Sequence, residues 1–70
     1  MSATTLGDDL PREIARVRDG LIPLYESIGE GGKPAAMLMR HDVDVATKAL
    51  VDGDVVAMLR AYVSLKEWVL

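Results

Sequence analysis

The stretch ALVDGDVVAMLRAY, from Ala49 to Tyr62, decides the fold of this 70-residue chain. Two runs of apolar residues are interrupted at its centre by Asp52-Gly53-Asp54. Glycine readily takes the left-handed conformation that ends a helix, and aspartate caps the free backbone N–H groups that begin one. Because so short a connection turns the chain back on itself, the stretch predicts an antiparallel helical hairpin.

The two helices of this hairpin are predicted from apolar residues spaced three and four apart. The second helix of the chain should run from Pro34 to about Asp52, and the third from Val55 to about Val69. Arg60, Ser64 and Glu67 are expected to face solvent. The apolar seam of the second helix is Ala36, Met39, Val43, Ala46 and Leu50, and that of the third is Val55, Met58 or Leu59, Tyr62, Leu65 and Val69.

A first helix is predicted upstream of the hairpin, beginning near Asp8 or Asp9, with Pro11 in its first turn. Pro23 removes an interior hydrogen bond, so this helix either kinks near Gly20–Pro23 or stops at Gly20 and restarts. The kink is favoured because the apolar stripe passes the proline without losing register. The sequence therefore predicts an all-α fold of three helices. The stripe of the first helix is Leu10, Ile14, Val17, Leu21, Leu24 and Ile28.

The length and ends of the chain suggest its organisation. Seventy residues suffice for one domain, so we expect a single helical domain over residues 9–70 and a disordered tail over residues 1–8. The start of the chain lacks a basic segment followed by an apolar run, which predicts no signal peptide and, by default, a cytoplasmic location. No uncharged run is long enough to suggest a membrane partner.

Composition excludes several classes of function. The chain has no cysteine, so disulfides and thiolate metal sites are absent. Its formal net charge is −3, and no segment of it is basic, so no nucleic-acid partner is expected. A core this small is marginal for a monomer, and a second copy or another protein is expected to add burial.

Glu30-Gly31-Gly32-Lys33 is the one glycine-rich motif that resembles a phosphate-binding loop. A P-loop needs a glycine where Ser27 stands and a serine or threonine where Pro34 stands. We therefore interpret this segment as a flexible linker, and no phosphate-bearing cofactor is expected.

His41, Asp42 and Asp44 are the best candidates for a metal or acid–base site, because His41 and Asp44 can share a helix face. This is the chain's single histidine, however, and two ligands do not hold a metal tightly. A solvated charged surface is the preferred interpretation, without a bound metal. With one histidine and no cysteine, nucleophilic catalysis has little to build on, so the chain is not expected to be an enzyme.

An apolar surplus predicts a partner surface. Val51 is apolar on a side of the second helix that is otherwise polar, and tyrosine and tryptophan are favoured at the centres of interfaces. We hypothesise a small protein-interaction or structural module that associates with itself or with another protein. The candidate interface residues are Val45, Val51, Tyr62, Leu65 and Trp68.

The alternative is a small DNA-binding regulator, in which the turn at Gly53 belongs to a helix-turn-helix. Such a helix needs basic side chains that reach the phosphates. The third helix offers Arg60 and Lys66, which are more than one turn apart and are offset by Glu67.

Four segments of the chain resemble short proteins carried by bacteriophages and prophages. The resemblance covers most of the chain after Asp8 and implies a phage or prophage origin. The group is an uncharacterised one, so the resemblance implies no activity and no functional residue. The segments are PREIARVR (Pro11–Arg18), YESIG (Tyr25–Gly29), AAMLMR (Ala35–Arg40) and GDVVAMLRAY (Gly53–Tyr62).

Overall fold

A computed structural model describes residues 5–69, and these form helices joined by short turns, with no strand among them. We refer to α1 (Leu6–Ala15), the π-helical segment (Arg16–Leu21) and α2 (Ile22–Ser27) together as the N-terminal helix, because they follow one another without a break. The predicted all-α fold of three helices is confirmed. The elements are α1 (Leu6–Ala15), a π-helical segment (Arg16–Leu21), α2 (Ile22–Ser27), a 3₁₀ turn (Glu30–Gly32), α3 (Lys33–Asp52) and α4 (Val55–Lys66).

The N-terminal helix begins at Leu6, earlier than predicted, because Thr5 and not Asp8 or Asp9 is its cap. The backbone N–H of Asp8 donates to Thr5 Oγ1 at 3.2 Å, and the Thr5 hydroxyl donates to the Asp8 carboxylate at 3.0 Å. This exchange satisfies a backbone donor that the first turn of a helix leaves free. Pro11 therefore lies in the second turn rather than the first. Residues 6–8 of the predicted tail are helical, and residues 1–4 lie outside the described residues.

The irregularity expected near Pro23 takes the form of a π-helical turn just before it. The backbone N–H of Ile22 donates to the carbonyl of Val17, five residues back instead of four. The helix thus continues through Gly20 and Pro23, and does not stop and restart at Gly20. A π turn holds one residue more than an α turn, which is a known way for a helix to accommodate a local disruption.

This extra residue shifts the buried side of the helix by one position. Leu21 still belongs to the core, but after it the buried side passes to Ile22 and to the half-buried Tyr25. Leu24 and Ile28, which the sequence places in the stripe, are exposed instead. The assumption that the stripe passes Pro23 in register is therefore wrong, because it took every turn to be α-helical.

The glycine-rich segment after α2 is a tight turn and not the predicted flexible linker. Gly32 is buried beneath the end of α2, and a Cβ atom at this position would lie 1.9 Å from the carbonyl oxygen of Tyr25. No residue with a side chain fits there without a shift of the backbone. The motif that resembles a phosphate loop is thus explained by the close approach of two backbone segments.

The hairpin of α3 and α4 forms as the sequence predicts. Gly53 ends α3 in the left-handed conformation, with φ 65°. The Asp54 side chain caps α4 by accepting a hydrogen bond from the backbone N–H of Ala57 at 3.1 Å. α4 ends at Lys66, three residues before the predicted Val69, and the chain beyond it is irregular.

The three helices surround one apolar core. The N-terminal helix and α4 run in the same direction, since Arg16 contacts Leu65 and Tyr25 contacts Val69, and α3 runs against both. The molecule is flat, 39 × 27 × 15 Å, so much of each helix stays at the surface. None of the helices in residues 5–69 is long and apolar enough to cross a membrane. The core side chains are Leu10, Ile14, Val17, Leu21, Ile22, Ala36, Met39, Val43, Ala46, Ala49, Met58, Ala61 and Leu65.

Candidate functional site

α4 has two apolar sides, and only one of them is used by the core. The inner side buries Met58, Ala61 and Leu65 against the other two helices. The opposite side carries aliphatic residues that remain in contact with solvent, and we call it the outer face of α4. It consists of Val55, Val56, Leu59 and Val63, which are 67%, 62%, 55% and 52% exposed.

The outer face is a continuous stripe rather than a scatter of apolar residues. Val56, Leu59 and Val63 are three and four residues apart, so they succeed one another along one side of the helix. At 100° per residue, Arg60 and Glu67 lie along one edge of this stripe, and Lys66 lies along the other. The three charged residues make no ion pair with any residue from 5 to 69. The Lys66 ammonium lies over the Tyr62 ring, 5.5 Å from its centroid.

The C-terminal end of α4 is held by the side chain of Arg16. Its Nη1 donates to the carbonyl of Trp68 at 2.7 Å, and its Nη2 donates to the carbonyl of Leu65 at 2.8 Å. Glu13 accepts from the same guanidinium at 3.1 Å and fixes its orientation. A cation is favourable here, because the last carbonyls of a helix lack partners and carry partial negative charge.

Trp68 joins the same end of the molecule to α3. Its indole Nε1 donates to Asp42 Oδ2 at 2.7 Å, and Tyr25 donates from its hydroxyl to the carbonyl of Val69 at 3.2 Å. Together with the bonds from Arg16, these bonds attach the C-terminal end of α4 to the other helices, while the turn at Gly53 joins its start to α3. The outer face is therefore presented by a helix whose position is fixed.

The residues predicted to form an interface do not share one surface. Val45 and Val51 are exposed, but six residues of helix set them about 120° apart around α3. Tyr62 and Trp68 are half-buried and pack against the core. Leu65 is fully buried within the single chain, so its assignment to a partner surface is wrong. Leu65 is buried because Met58, and not its neighbour Leu59, faces the core, and Leu65 lies on the same side of α4 as Met58.

Val56, Leu59 and Val63 were not predicted to be surface residues. The apolar spacing of α4 predicted a single seam with a polar side beside it. The signal was available in the composition, since α4 reads VVAMLRAYVSLK and is apolar nearly all round. A helix of that kind is expected to be covered on more than one side.

The candidates for metal or acid–base chemistry are not brought together. His41 and Asp44 are exposed, whereas Asp42 is engaged by the indole of Trp68. Within the part of the chain that the structure describes, no three histidine, cysteine, aspartate or glutamate side chains are grouped so as to hold a metal ion. Asp42 therefore has a structural partner that accounts for its position.

The turn at Gly53 joins two helices, as the DNA-binding alternative requires. α4 would then be the helix that enters the groove, yet its outer face presents aliphatic side chains where phosphate contacts are needed. Arg60 and Lys66 lie at opposite edges of that face.

No known family model matches this chain, no curated protein is significantly similar to it, and no solved structure matches its fold significantly.

Proposed function

We propose that this chain is a protein-interaction module whose binding surface is the outer face of α4. The proposal depends on one observation: α4 leaves four aliphatic side chains exposed on consecutive turns of one side. Single exposed apolar residues are ordinary on a protein surface, but a contiguous group with charged edges is typical of an interaction site. Covering these side chains removes apolar area from water, which is the main favourable term in association.

The attachment of α4 supports a preformed binding surface. The inner side of the helix is buried in the core, its start is capped by Asp54, and its end is bonded to Arg16. A partner therefore does not have to order the helix when it binds, and the free energy of binding is not reduced by that ordering. The shape of the surface fits another helix, because an i, i+3, i+7 stripe is how helices recognise one another.

We extend the proposal to self-association, which the sequence also suggests, and to a cytoplasmic module of phage or prophage origin. The location and the origin are expectations from the sequence alone, and the origin depends on its resemblance to phage proteins. They are independent of the binding surface, so the outer face of α4 can be tested without them.

Site-specific photo-crosslinking in the cells that naturally express the chain tests the binding surface. A photoreactive residue in place of Leu59 should give a discrete covalent adduct with a protein. The matched control replaces Val51, which is apolar and 81% exposed but belongs to α3 and not to the outer face of α4. Equal yields at the two positions, or no adduct at either, would contradict the proposal.

A further inference from the structure

We infer that residues 67–69 form a latch, which opens and closes as one unit while the three helices stay folded. These residues follow the last turn of α4 and are not helical. The inference goes beyond the proposed function and does not depend on it, because the outer face of α4 lies entirely on the helical part of the chain before the latch.

Three hydrogen bonds to two other helices hold the latch closed. From the N-terminal helix, Arg16 donates to the carbonyl of Trp68 at 2.7 Å and Tyr25 donates to the carbonyl of Val69 at 3.2 Å. The indole of Trp68 donates to Asp42 of α3 at 2.7 Å. Each bond uses a side chain, and none belongs to the backbone bonding of a helix. All three can therefore break in a local opening that removes no helical turn.

The latch is loosely packed, because it borders an open cavity on each side. One cavity, of about 270 Å³, is bordered by Trp68 and by Asp42 of α3. The other, of about 430 Å³, is bordered by Val69 and by Gly20 and Leu21 of the N-terminal helix. Of the latch residues, Trp68 alone packs against the core, and Val69 is 63% exposed. A side chain beside a cavity lacks partner atoms on that side, so the closed state depends strongly on the three hydrogen bonds.

The hinge of the latch lies between Leu65 and Trp68, because the hydrogen bonds of Arg16 divide there. Its Nη2 donates to the carbonyl of Leu65 at 2.8 Å, whereas its Nη1 donates to the carbonyl of Trp68. The first bond remains when the latch opens, and the second is lost. Since Leu65 is also fully buried, the last turn of α4 stays attached to the N-terminal helix in the open state.

Opening of the latch changes the surface at this end of the molecule. The two cavities join, since Trp68 borders one of them and Val69 the other. Leu21, which is buried in the closed state, then borders a wider apolar cleft. Opening also frees the guanidinium, carboxylate and phenol groups that anchor the latch. The latch therefore controls access to this end of the core.

Hydrogen exchange of the purified native chain, followed by nuclear magnetic resonance, tests whether the latch opens without the helices. The readout is the protection factor, the ratio of the free to the observed exchange rate. The indole N–H of Trp68, the single tryptophan, should have a protection factor at least about tenfold below that of the backbone N–H of Ala61, and clearly above that of an indole in an unfolded peptide. A protection factor equal to either of these two references overturns the inference.

A variant at a different anchor tests whether the latch moves as one unit. Tyr25→Phe removes the bond to Val69 and leaves the bond between Trp68 and Asp42 in place, so it should lower the protection factor of the Trp68 indole about threefold. If Trp68 opened by itself, the loss of the Tyr25 bond would not change its exchange.

Tyr62→Phe is the matched control, because it removes a hydroxyl that makes no hydrogen bond with residues 5–69, and it should leave the exchange of Trp68 unchanged. Both variants should keep the far-ultraviolet circular dichroism of the native chain. An unchanged protection factor in Tyr25→Phe, an equal decrease in Tyr62→Phe, or a loss of helix in Tyr25→Phe overturns the latch.

Discussion

The solvent-facing sides of α3 and α4 belong to the same hairpin and differ in chemistry. On α3 this side carries Lys48, which pairs with Asp52 at 3.0 Å, and Arg40, which pairs with Glu26 of α2. On α4 it carries Leu59 and its aliphatic neighbours. The exposed apolar residues of α3 are interspersed with charged ones, whereas those of α4 adjoin one another and leave a contiguous apolar area that another molecule can cover. Exposure alone therefore does not identify a surface site, whereas the contiguity of the exposed apolar residues on α4 does.

The largest effect should separate the inner and outer sides of α4. Leu65→Ala removes a fully buried side chain and should lower the free energy of unfolding by about 2–5 kcal/mol. Leu59→Ala, measured on the dilute monomer, should change it by less than about 0.5 kcal/mol, since the side chain is exposed. Urea denaturation followed by circular dichroism at low micromolar concentration measures both. Similar losses for the two variants would mean that Leu59 is not on the outside of the monomer.

A smaller effect is expected where α4 is attached to α3. Trp68→Phe removes the indole donor that bonds to Asp42 and should lower the free energy of unfolding by about 1–2 kcal/mol, because the acceptor is charged and half-buried. Tyr62→Phe is the matched control, since it removes a hydroxyl without a hydrogen bond to any of residues 5–69, and it should have little effect. Thermal unfolding distinguishes the two. An equal response would show that the indole bond does not hold the end of α4.

The stability of the chain should depend on the residue that precedes α4 more than on the residue that precedes α3. Asp54→Ala removes a side-chain cap and should cost about 1 kcal/mol of stability. α3 begins at Lys33 after Gly32, which provides no side-chain cap, so no equivalent loss exists there. Asp54→Asn keeps a capping oxygen and should retain most of the stability in chemical denaturation. A variant Asp54→Asn as unstable as Asp54→Ala would point to charge rather than to the cap.

The smallest effect is expected on the charged surface of the N-terminal helix. The hydrogen bond from Arg18 lowers the pKa of Asp19, and the positive charge of Arg18 acts in the same direction. A folded-state pKa below the unfolded one contributes stability that is present above the unfolded pKa and is lost as the pH falls through the folded pKa. Nuclear magnetic resonance titration should show Asp19 deprotonating at a lower pH than an aspartate in an unfolded peptide, and about 1 M salt should reduce the difference.

The titration of Asp19 also tests whether the Arg18–Asp19 pair is open to solvent. Asp19→Asn should remove the contribution that is present at neutral pH, and with it the part of the acid-induced loss of stability that Asp19 causes, and both changes should be small because the Arg18–Asp19 pair is exposed. A titration of Asp19 that is insensitive to salt would indicate that this charged surface is not open to water.

The parts of the fold that depend on neighbouring residues could be predicted from the sequence. Asp52-Gly53-Asp54 carries its own signals for ending one helix and starting the next, and the structure places both as expected. The start at Thr5 was missed because the acidic pair at Asp8 and Asp9 is also a good cap, and only the finished turn shows that the Thr5 hydroxyl caps the helix.

The parts that depend on packing could not be predicted. The choice between Met58 and Leu59 for the inside of α4 is open in the sequence, because both are apolar and adjacent. That choice decides the candidate site, since it turns Leu65 inward and leaves Leu59 outside. The hydrogen bonds of Arg16 to Leu65 and Trp68 join residues about fifty positions apart and leave no local pattern.

The π turn before Pro23 has a further consequence for the second half of the N-terminal helix. Its one extra residue rotates all the side chains that follow it around the helix axis by one residue position. This rotation brings Tyr25 to the position from which its hydroxyl reaches the carbonyl of Val69. The same rotation turns Leu24 and Ile28 outward. Their exposure is therefore explained by the extra residue of the π turn and does not indicate a second contact surface.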